Sequence, residues 1–224
     1  MIFVMNLTYK EVNGWYYVDG DTWRAPLRLP YLTDKRDYDF KGMIAWCMHN
    51  FFKVDCSSMT AIDCGANYGY ISLGLAKYFN HVYSFEPHKD VFHCLQKNTE
   101  GYNITPFNKA VMNKPGNLFY KPQDKLACTM VVESSEDAFP CEAVTIDSYN
   151  FKNVGLIKFD CEQNDFKAFQ GAINTIRTNR PMIIFEYGNQ YFNTRHRDDW
   201  YEALESLDYR FLDIGSVDMC WGPN

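Results

Sequence analysis

The chain has 224 residues and a formal net charge of −6, with 46% hydrophobic and 22% charged residues. This length suits one α/β domain with a complete core better than two domains, and the composition is that of an ordinary globular protein. The negative charge disfavours nucleic acid as the main partner of this protein, because binding to its phosphates needs a concentrated basic surface. No apolar run approaches the roughly 20 residues that cross a bilayer, so we expect no membrane partner.

The start of the chain contains only a short apolar patch, with neither a basic region before it nor a small-residue cleavage site after it. This pattern argues against a secretory signal and predicts a cytoplasmic protein. The 8 cysteines include no C-x-x-C pair and no cysteine–histidine spacing typical of metal sites. We therefore expect reduced, mostly buried thiols and no cysteine-bound metal.

The N-terminal region predicts a hairpin and a helix. Alternating aromatic and polar residues in 9–25 surround Asp19-Gly20, which is typical of a β-hairpin turn. Apolar residues at helical spacing follow, and they predict an amphipathic helix: Phe40, Met43, Ile44, Cys47 and Phe51. We interpret residues 1–55 as an extension packed on the core and residues 56–224 as the ligand-binding domain. The aromatic residues of the hairpin could form a lid over a ligand or could cover core surface.

Residues 61–79 predict a strand, a tight glycine turn and a helix. Asp63 closes the strand, and Gly65, Asn67 and Gly69 follow at alternate positions. Glycines allow a sharp turn and close approach of a ligand, and a helix start offers unpaired N–H groups. The spacing departs from the dinucleotide pattern G-x-G-x-x-G, which disfavours an NAD-dependent oxidoreductase. An acid followed by G-x-N-x-G resembles the first motif of class I methyltransferases that use S-adenosylmethionine (SAM).

The next apolar run ends in Glu86-Pro87. Its distance from the glycine turn is roughly the 20 residues at which a βαβ unit places an acid on ribose hydroxyls. A carboxylate can accept hydrogen bonds from both hydroxyls of a cis-diol, and it repels a 2′-phosphate. Glu86 therefore predicts an adenosine-type ligand without that phosphate.

The middle of the chain predicts a third strand and then an interruption. The strand at 104–108 should return to the ligand edge near Asn108 and Ala110. Residues 113–146 break the alternation of strands and helices, and they predict short, antiparallel strands in place of a helix.

Two later strands end in acids. One buried apolar run ends in Asp160, with Glu162 two residues on, and a second ends in Glu186. A helix is predicted at 165–176 between them. The alternation predicts an α/β fold with a doubly wound, mostly parallel, Rossmann-like sheet and a ligand at the carboxyl ends of the strands. The three carboxylates would then lie along one rim.

Six segments between residues 60 and 187 resemble the FkbM family of SAM-dependent methyltransferases. In order they are DCGANYGYISL, SFEP, NKAVMNKPGNLFY, TIDSY, LIKFDCEQNDFKAFQGA and RPMIIFE. The resemblance implies a class I methyltransferase fold, SAM as the cofactor, and methyl transfer to an oxygen, most often a hydroxyl of a small molecule or carbohydrate. A non-catalytic module that binds SAM or another adenosine ligand is the alternative.

The strand ends and the resemblance together predict the site. The predicted cofactor-binding residues are Asp63, Gly65, Ala66, Asn67, Gly69, Glu86, Pro87, Asn108 and Ala110. The predicted catalytic residues are Asp160, Glu162 and Glu186. One of these acids could be a general base, or a pair could hold a divalent cation, although nothing in the sequence supports a metal. His88 and His196 are alternative bases.

One position departs from the family pattern. Gln163 stands where the family has glycine. A glutamine adopts a positive φ angle less cheaply than glycine, so the loop after this strand could follow a different path. Acceptor choice would then depend on the N-terminal extension, the insertion at 113–146 and the loop at 188–200, where the resemblance is weak or absent.

Overall fold

A computed structural model describes residues 8–19, 21, 55–121, 129–134, 137–186, 197–212 and 218–224. The strands of these ranges are β1 (Tyr9–Val12), β2 (Trp15–Val18), β3 (Thr60–Cys64), β4 (His81–Phe85), β5 (Ile104–Phe107), β6 (Ala110–Val111), β7 (Gly116–Lys121), β8 (Met130–Val132), β9 (Phe139–Val144), β10 (Val154–Phe159), β11 (Met182–Glu186), β12 (Tyr209–Leu212) and β13 (Asp218–Pro223). The α-helices are α1 (Tyr70–Leu75), α2 (Lys89–Thr99), α3 (Asp165–Gln170), α4 (Ile173–Asn179) and α5 (Arg197–Ser206).

The central sheet has the strand order β12-β13-β11-β10-β3-β4-β5. The strands from β11 to β5 are parallel, and β12 and β13 extend the β11 side in antiparallel pairing. Every residue of β10 is buried, as expected for a parallel strand covered on both faces. Phe159 of β10 and Phe85 of β4 both pair with Cys64 of β3, so the carboxyl ends of these strands meet at one edge. The predicted mostly parallel α/β fold is confirmed.

Alternate residues of each strand feed two cores, one on each face of the sheet. On one face Ala61 belongs to a cluster that includes residues of α1, α2 and the N-terminal hairpin. On the other face Ile62 belongs to a cluster with residues of α3, α4 and α5. There the ring of Trp200 stacks on that of Phe185 with centroids 4.2 Å apart. None of the helices in the described ranges combines the length and the apolar character needed to span a membrane.

The predicted N-terminal hairpin is present, with its turn at Asn13-Gly14. Asp19 directly follows β2, and Gly20 of the predicted turn lies outside the described residues. Strands β1 and β2 pair through Val12 and Trp15, and the turn is formed by Asn13 and Gly14 with φ angles of +52° and +80°. An Asn-Gly pair with two positive φ angles is the favoured two-residue hairpin turn. Trp15 is completely buried against the core, so this part of the extension covers core surface. The predicted helix at 40–53 lies outside the described residues.

The interruption at 113–146 forms a second sheet with the order β6-β9-β7-β8. Strand β7 pairs antiparallel with both β8 and β9, as predicted for this region. Strand β6 follows β5 closely in the chain and pairs parallel with β9. It therefore joins the second sheet to the main domain. A strand-rich unit thus lies beside the carboxyl edge of the central sheet.

Candidate functional site

A cleft lies where β3, β4 and β10 end. Its walls come from the three strand ends and from the second sheet. The lining residues are Gly65, Asn67, Phe85, Glu86, Pro87, Lys109, Ala110, Val111, Thr129, Val131, Asp160, Cys161, Glu162 and Asn164. The predicted ligand edge is therefore a concave site.

The glycine turn is held against its neighbours by close backbone contacts. Gly65 and Gly69 have φ angles of +80° and +91°, and Asn67 has +53°. A Cβ atom at Gly65 would lie 1.8 Å from the carbonyl oxygen of Asp160. The N–H of Gly65 donates to the carbonyl of Phe85 at 2.9 Å. The turn thus needs glycine for its backbone angles and for the approach of the strand beside it.

Glu86 is the buried acid of the cleft, with 5% of its surface exposed. Its Oε2 accepts a hydrogen bond from the N–H of Asn67 at 3.0 Å, and its Oε1 accepts one from the N–H of His88 at 2.8 Å. Burial raises the pKa of Glu86 to about 7. Each carboxylate oxygen has two lone pairs, so the group can accept further hydrogen bonds from a ligand diol. One side chain therefore links the glycine turn to the expected ribose position.

Asp63 lies beneath the turn and does not border the cleft. It is completely buried, and its Oδ2 accepts a hydrogen bond from the hydroxyl of Ser72 at 2.6 Å. Burial raises the pKa of its carboxyl group. Asp63 therefore supports the loop from inside, whereas the sequence predicted a direct contact with the cofactor.

Three other predicted cofactor residues do not line the cleft. Asn108 donates from Nδ2 to the backbone carbonyls of Glu86 and Pro87, at 2.8 and 3.0 Å, and so fixes the end of β4. Gly69 and Ala66 complete the turn without lining the cleft. The predicted residues that do border it are Gly65, Asn67, Glu86, Pro87 and Ala110.

Two of the predicted catalytic acids, Asp160 and Glu162, border the cleft. The Nζ of Lys158 donates to the Oδ2 of Asp160 at 2.8 Å. Glu162 and Gln163 have φ angles of +46° and +72°. The loop thus turns through the left-handed region at both residues, although neither is glycine.

Of the remaining predicted acid and the two alternative bases, only His88 has a described side chain. Glu186 ends β11, and the described part of the structure covers its backbone alone. His88 is buried, and its Nδ1 accepts hydrogen bonds from the N–H groups of Asp90 and Val91 at the start of α2. Burial lowers the pKa of His88 to about 4, and the residue does not border the cleft, so it is a helix cap rather than a base. His196 lies outside the described residues.

The second sheet supplies a wall that no motif predicted. Thr129 and Val131 border the cleft from β8 and the residue before it. The Nδ2 of Asn164 donates to the carbonyl of Val131 at 3.1 Å and so connects this wall to the loop after β10. Lys109 lines the rim and forms an ion pair with Glu142 at 2.7 Å. The sequence predicts extra strands here, but it carries no signal that β8 borders the cleft.

The charges of the wall suit a cationic ligand group. Among the described residues, three acids border the cleft, Glu86, Asp160 and Glu162, together with one ammonium group, that of Lys109. Such a wall favours a ligand that carries positive charge. Within the described ranges, no group of three or more histidine, cysteine, aspartate or glutamate side chains is arranged to hold a metal ion.

Comparison with known proteins gives a family and a fold. Residues 63–211 match the family model described as methyltransferase FkbM domain. A solved methyltransferase FkbM from Methylobacillus flagellatus KT is 20% identical to this chain, with a TM-score of 0.54. The match covers 74% of this chain and 43% of that one, so this chain spans less than half the length of that protein. Magnesium protoporphyrin IX methyltransferase from Synechocystis PCC 6803, solved with bound SAM, is 10% identical over 81% of this chain and 76% of that one, with a TM-score of 0.49. No curated protein is significantly similar to this chain in sequence.

Proposed function

This chain belongs to the FkbM family of methyltransferases, and we propose that it transfers a methyl group from SAM to a hydroxyl oxygen of a small molecule or carbohydrate. The observation that carries the proposal is the pairing of the glycine turn with a buried acid. Glu86 accepts a hydrogen bond from the N–H of Asn67 and also borders the cleft. This arrangement supports a ligand with a small polar group at the turn and a cis-diol at the acid.

The described residues fit SAM along the length of the cleft. Gly65 borders the cleft and carries no side chain, so the turn can lie close to the methionine portion of the cofactor. Glu86 would accept hydrogen bonds from the ribose hydroxyls, and Ala110 offers an apolar surface beyond it. When bound, SAM supplies a methyl group on a cationic sulfur, which suits the acidic wall.

The acids after β10 are assigned to the transfer step. An in-line displacement requires the acceptor oxygen to approach the methyl carbon opposite the sulfur, and a hydroxyl must lose a proton. We expect Asp160 and Glu162 to be the acids nearest that oxygen, with Glu186 in support. Glu162 borders the cleft on a tightly turned loop and is the proposed proton acceptor.

The alternative is a module that binds SAM or another adenosine ligand without catalysis. It gains support in the sequence from Gln163, which replaces the family glycine. In the structure Gln163 has a φ angle of +72°, so the loop adopts a left-handed turn with glutamine in that place. The substitution therefore gives no specific support to a loss of catalysis.

Calorimetric titration with SAM, S-adenosylhomocysteine (SAH) and NAD tests the cofactor. We expect micromolar binding of SAM and SAH and no response to NAD. Glu86→Gln should weaken the binding of both by about tenfold or more, because it removes a charged acceptor of two ligand hydroxyls. Glu100→Gln, a matched change at an exposed glutamate, should bind like the wild type. Folded wild-type protein that binds neither SAM nor SAH would contradict the proposed function.

Turnover separates catalysis from binding. Wild-type protein is incubated with SAM and a panel of hydroxylated small molecules and sugars, and the release of SAH is measured. Glu162→Gln is expected to retain SAH affinity and to lose turnover. Unchanged turnover would remove Glu162 from the mechanism. Tight SAM binding with no release of SAH for any acceptor in the panel would favour the non-catalytic module.

A further inference from the structure

Lys158 places a positive charge inside the central sheet. Only 3% of its side chain is exposed, and the strand on both sides of it is buried. A buried charge is costly unless it is paired and hydrogen-bonded. Lys158 meets this requirement through Asp160, whose Oδ2 accepts a hydrogen bond from Nζ at 2.8 Å. The ammonium group therefore lies directly behind an acid that borders the cleft.

Asp63 is the second acid near this lysine. Lys158 and Asp63 pair in register on β10 and β3, so their side chains leave the same face of the sheet. Ser72 holds the Asp63 carboxylate through its hydroxyl at 2.6 Å, and the hydroxyls of Ser72 and Ser84 are 2.8 Å apart. Burial raises the pKa of Asp63, and the attraction of Lys158 opposes this increase. One cation thus acts on two carboxylates, of which only Asp160 borders the cleft.

We propose that Lys158 is a positioning residue, which fixes the Asp160 carboxylate at the end of the cleft that receives the cationic groups of SAM. The inference rests on the proposed function and adds to it, because Asp160, one of the acids assigned there to the transfer step, also takes part in binding the cofactor. Without the lysine, Asp63 and Asp160 would lie near each other with no cation between them. Mutual repulsion then favours protonation or displacement of one carboxylate. Displacement falls on Asp160, which loses its hydrogen bond from Lys158 while Ser72 still holds Asp63, and it weakens the interaction with the amino group that SAM and SAH share.

A double-mutant cycle with SAH as the ligand tests this role. Lys158→Met and Asp160→Asn are expected each to weaken SAH binding by about tenfold or more, the loss typical of a charged hydrogen bond. The double variant should bind no more weakly than Asp160→Asn alone, because Lys158 acts through that carboxylate. Equal effects of Lys158→Met in the two backgrounds would overturn the inference.

Two further variants separate positioning from folding. Lys158→Arg keeps a cationic donor and should recover part of the SAH affinity, whereas Lys152→Met removes an exposed lysine and should change nothing. If Lys158→Met fails to fold, the cycle is repeated with Lys158→Gln, which removes the positive charge and keeps a hydrogen-bond donor near Asp160. SAH affinity in Lys158→Met equal to that of its parent would also overturn the inference. Wild-type protein that binds no SAH would contradict the proposed function and this inference with it.

Discussion

A Cβ atom on Gly65 would lie 1.8 Å from the carbonyl oxygen of Asp160. The glycine turn and the acidic loop are therefore in direct backbone contact. Gly65→Ala should push the two loops apart and also force a side chain into a φ angle of +80°. We expect a loss of about 2–5 kcal/mol in the free energy of unfolding and no detectable SAH binding. Urea denaturation and calorimetric titration measure the two effects.

Gly101 provides a matched control for the backbone strain alone. Its φ angle is +85°, and no atom lies within 4 Å of a Cβ built there. Gly101→Ala should cost about 1 kcal/mol and leave SAH binding unchanged. Equal losses of stability at Gly65 and Gly101 would show that the contact with Asp160 is not a tight one.

Gln163 carries backbone strain that a glycine would relieve. It is exposed, and its φ angle is +72°. We expect Gln163→Gly to raise the free energy of unfolding by up to about 1 kcal/mol, since the relief of strain exceeds the extra entropy of the unfolded chain. Thermal and urea unfolding of the two proteins provide the measurement.

Gln96 is the control for this substitution. It is also exposed, but it lies inside α2, where the backbone is helical. Gln96→Gly should lower the free energy of unfolding by about 1 kcal/mol. A destabilising effect of the same size at Gln163 would mean that the left-handed turn is not strained in this protein.

The features that could be predicted from the sequence are those determined by residues that are neighbours in the chain. The glycine turn follows its strand directly, and Glu86 and Asp160 each follow a run of apolar residues. Parallel strands align their carboxyl ends, so local signals at separate places in the chain converge at one edge. The cleft and most of its acids follow from that rule.

The features that could not be predicted depend on contacts between distant residues. Asp63 turns inward because Ser72, from the helix after the turn, hydrogen-bonds it. The helix predicted at 165–176 divides at Gly171, where a Cβ atom would lie 2.0 Å from the carbonyl oxygen of Met112. Val131 reaches the cleft only through the path of a second sheet. Periodicity and motif spacing carry no information about such approaches.

Asn98 connects the N-terminal hairpin to the glycine turn. Its buried Nδ2 donates to the carbonyls of Tyr68 and Tyr16, at 2.9 and 3.0 Å, and its Oδ1 accepts from the N–H of Tyr16 at 2.7 Å. Asn98→Ala removes the side-chain partner of these backbone groups and should lower the free energy of unfolding by about 2–4 kcal/mol. Because Tyr68 belongs to the turn, SAH binding should weaken as well.

Asn103 is the control for the asparagine at 98. Its Nδ2 also donates to two backbone carbonyls, those of Phe79 and Asn80, but it lies away from the cleft lining. Asn103→Ala should lower stability and leave SAH affinity unchanged. If both variants bind SAH like the wild type, the hairpin has no influence on the glycine turn.

Glu86 and His88 should oppose each other in the pH dependence of stability. Burial raises the pKa of Glu86 from 4.5 to about 7, so the folded state holds this proton more tightly. Its contribution to stability therefore falls as the pH rises between these values. Burial lowers the pKa of His88 from 6.5 to about 4, so the unfolded state takes up this proton more readily. The contribution of His88 therefore rises with pH over nearly the same range, and the two effects largely cancel.

Single substitutions should separate the pH dependence of stability that Glu86 contributes from that of His88. In Glu86→Gln only His88 contributes. The difference in free energy of unfolding between this variant and the wild type should therefore rise by about 1–3 kcal/mol as the pH increases from about 4 to about 6.5. In His88→Asn, Glu86 acts alone, and the difference should fall by a similar amount over the same range. Urea denaturation at a series of pH values measures both differences. Gln96→Asn is the control: it lies on the exposed face of α2, the helix that His88 caps, and its free energy of unfolding should depend on pH as that of the wild type does. Parallel profiles for all of these proteins would show that neither buried group changes its proton affinity on folding.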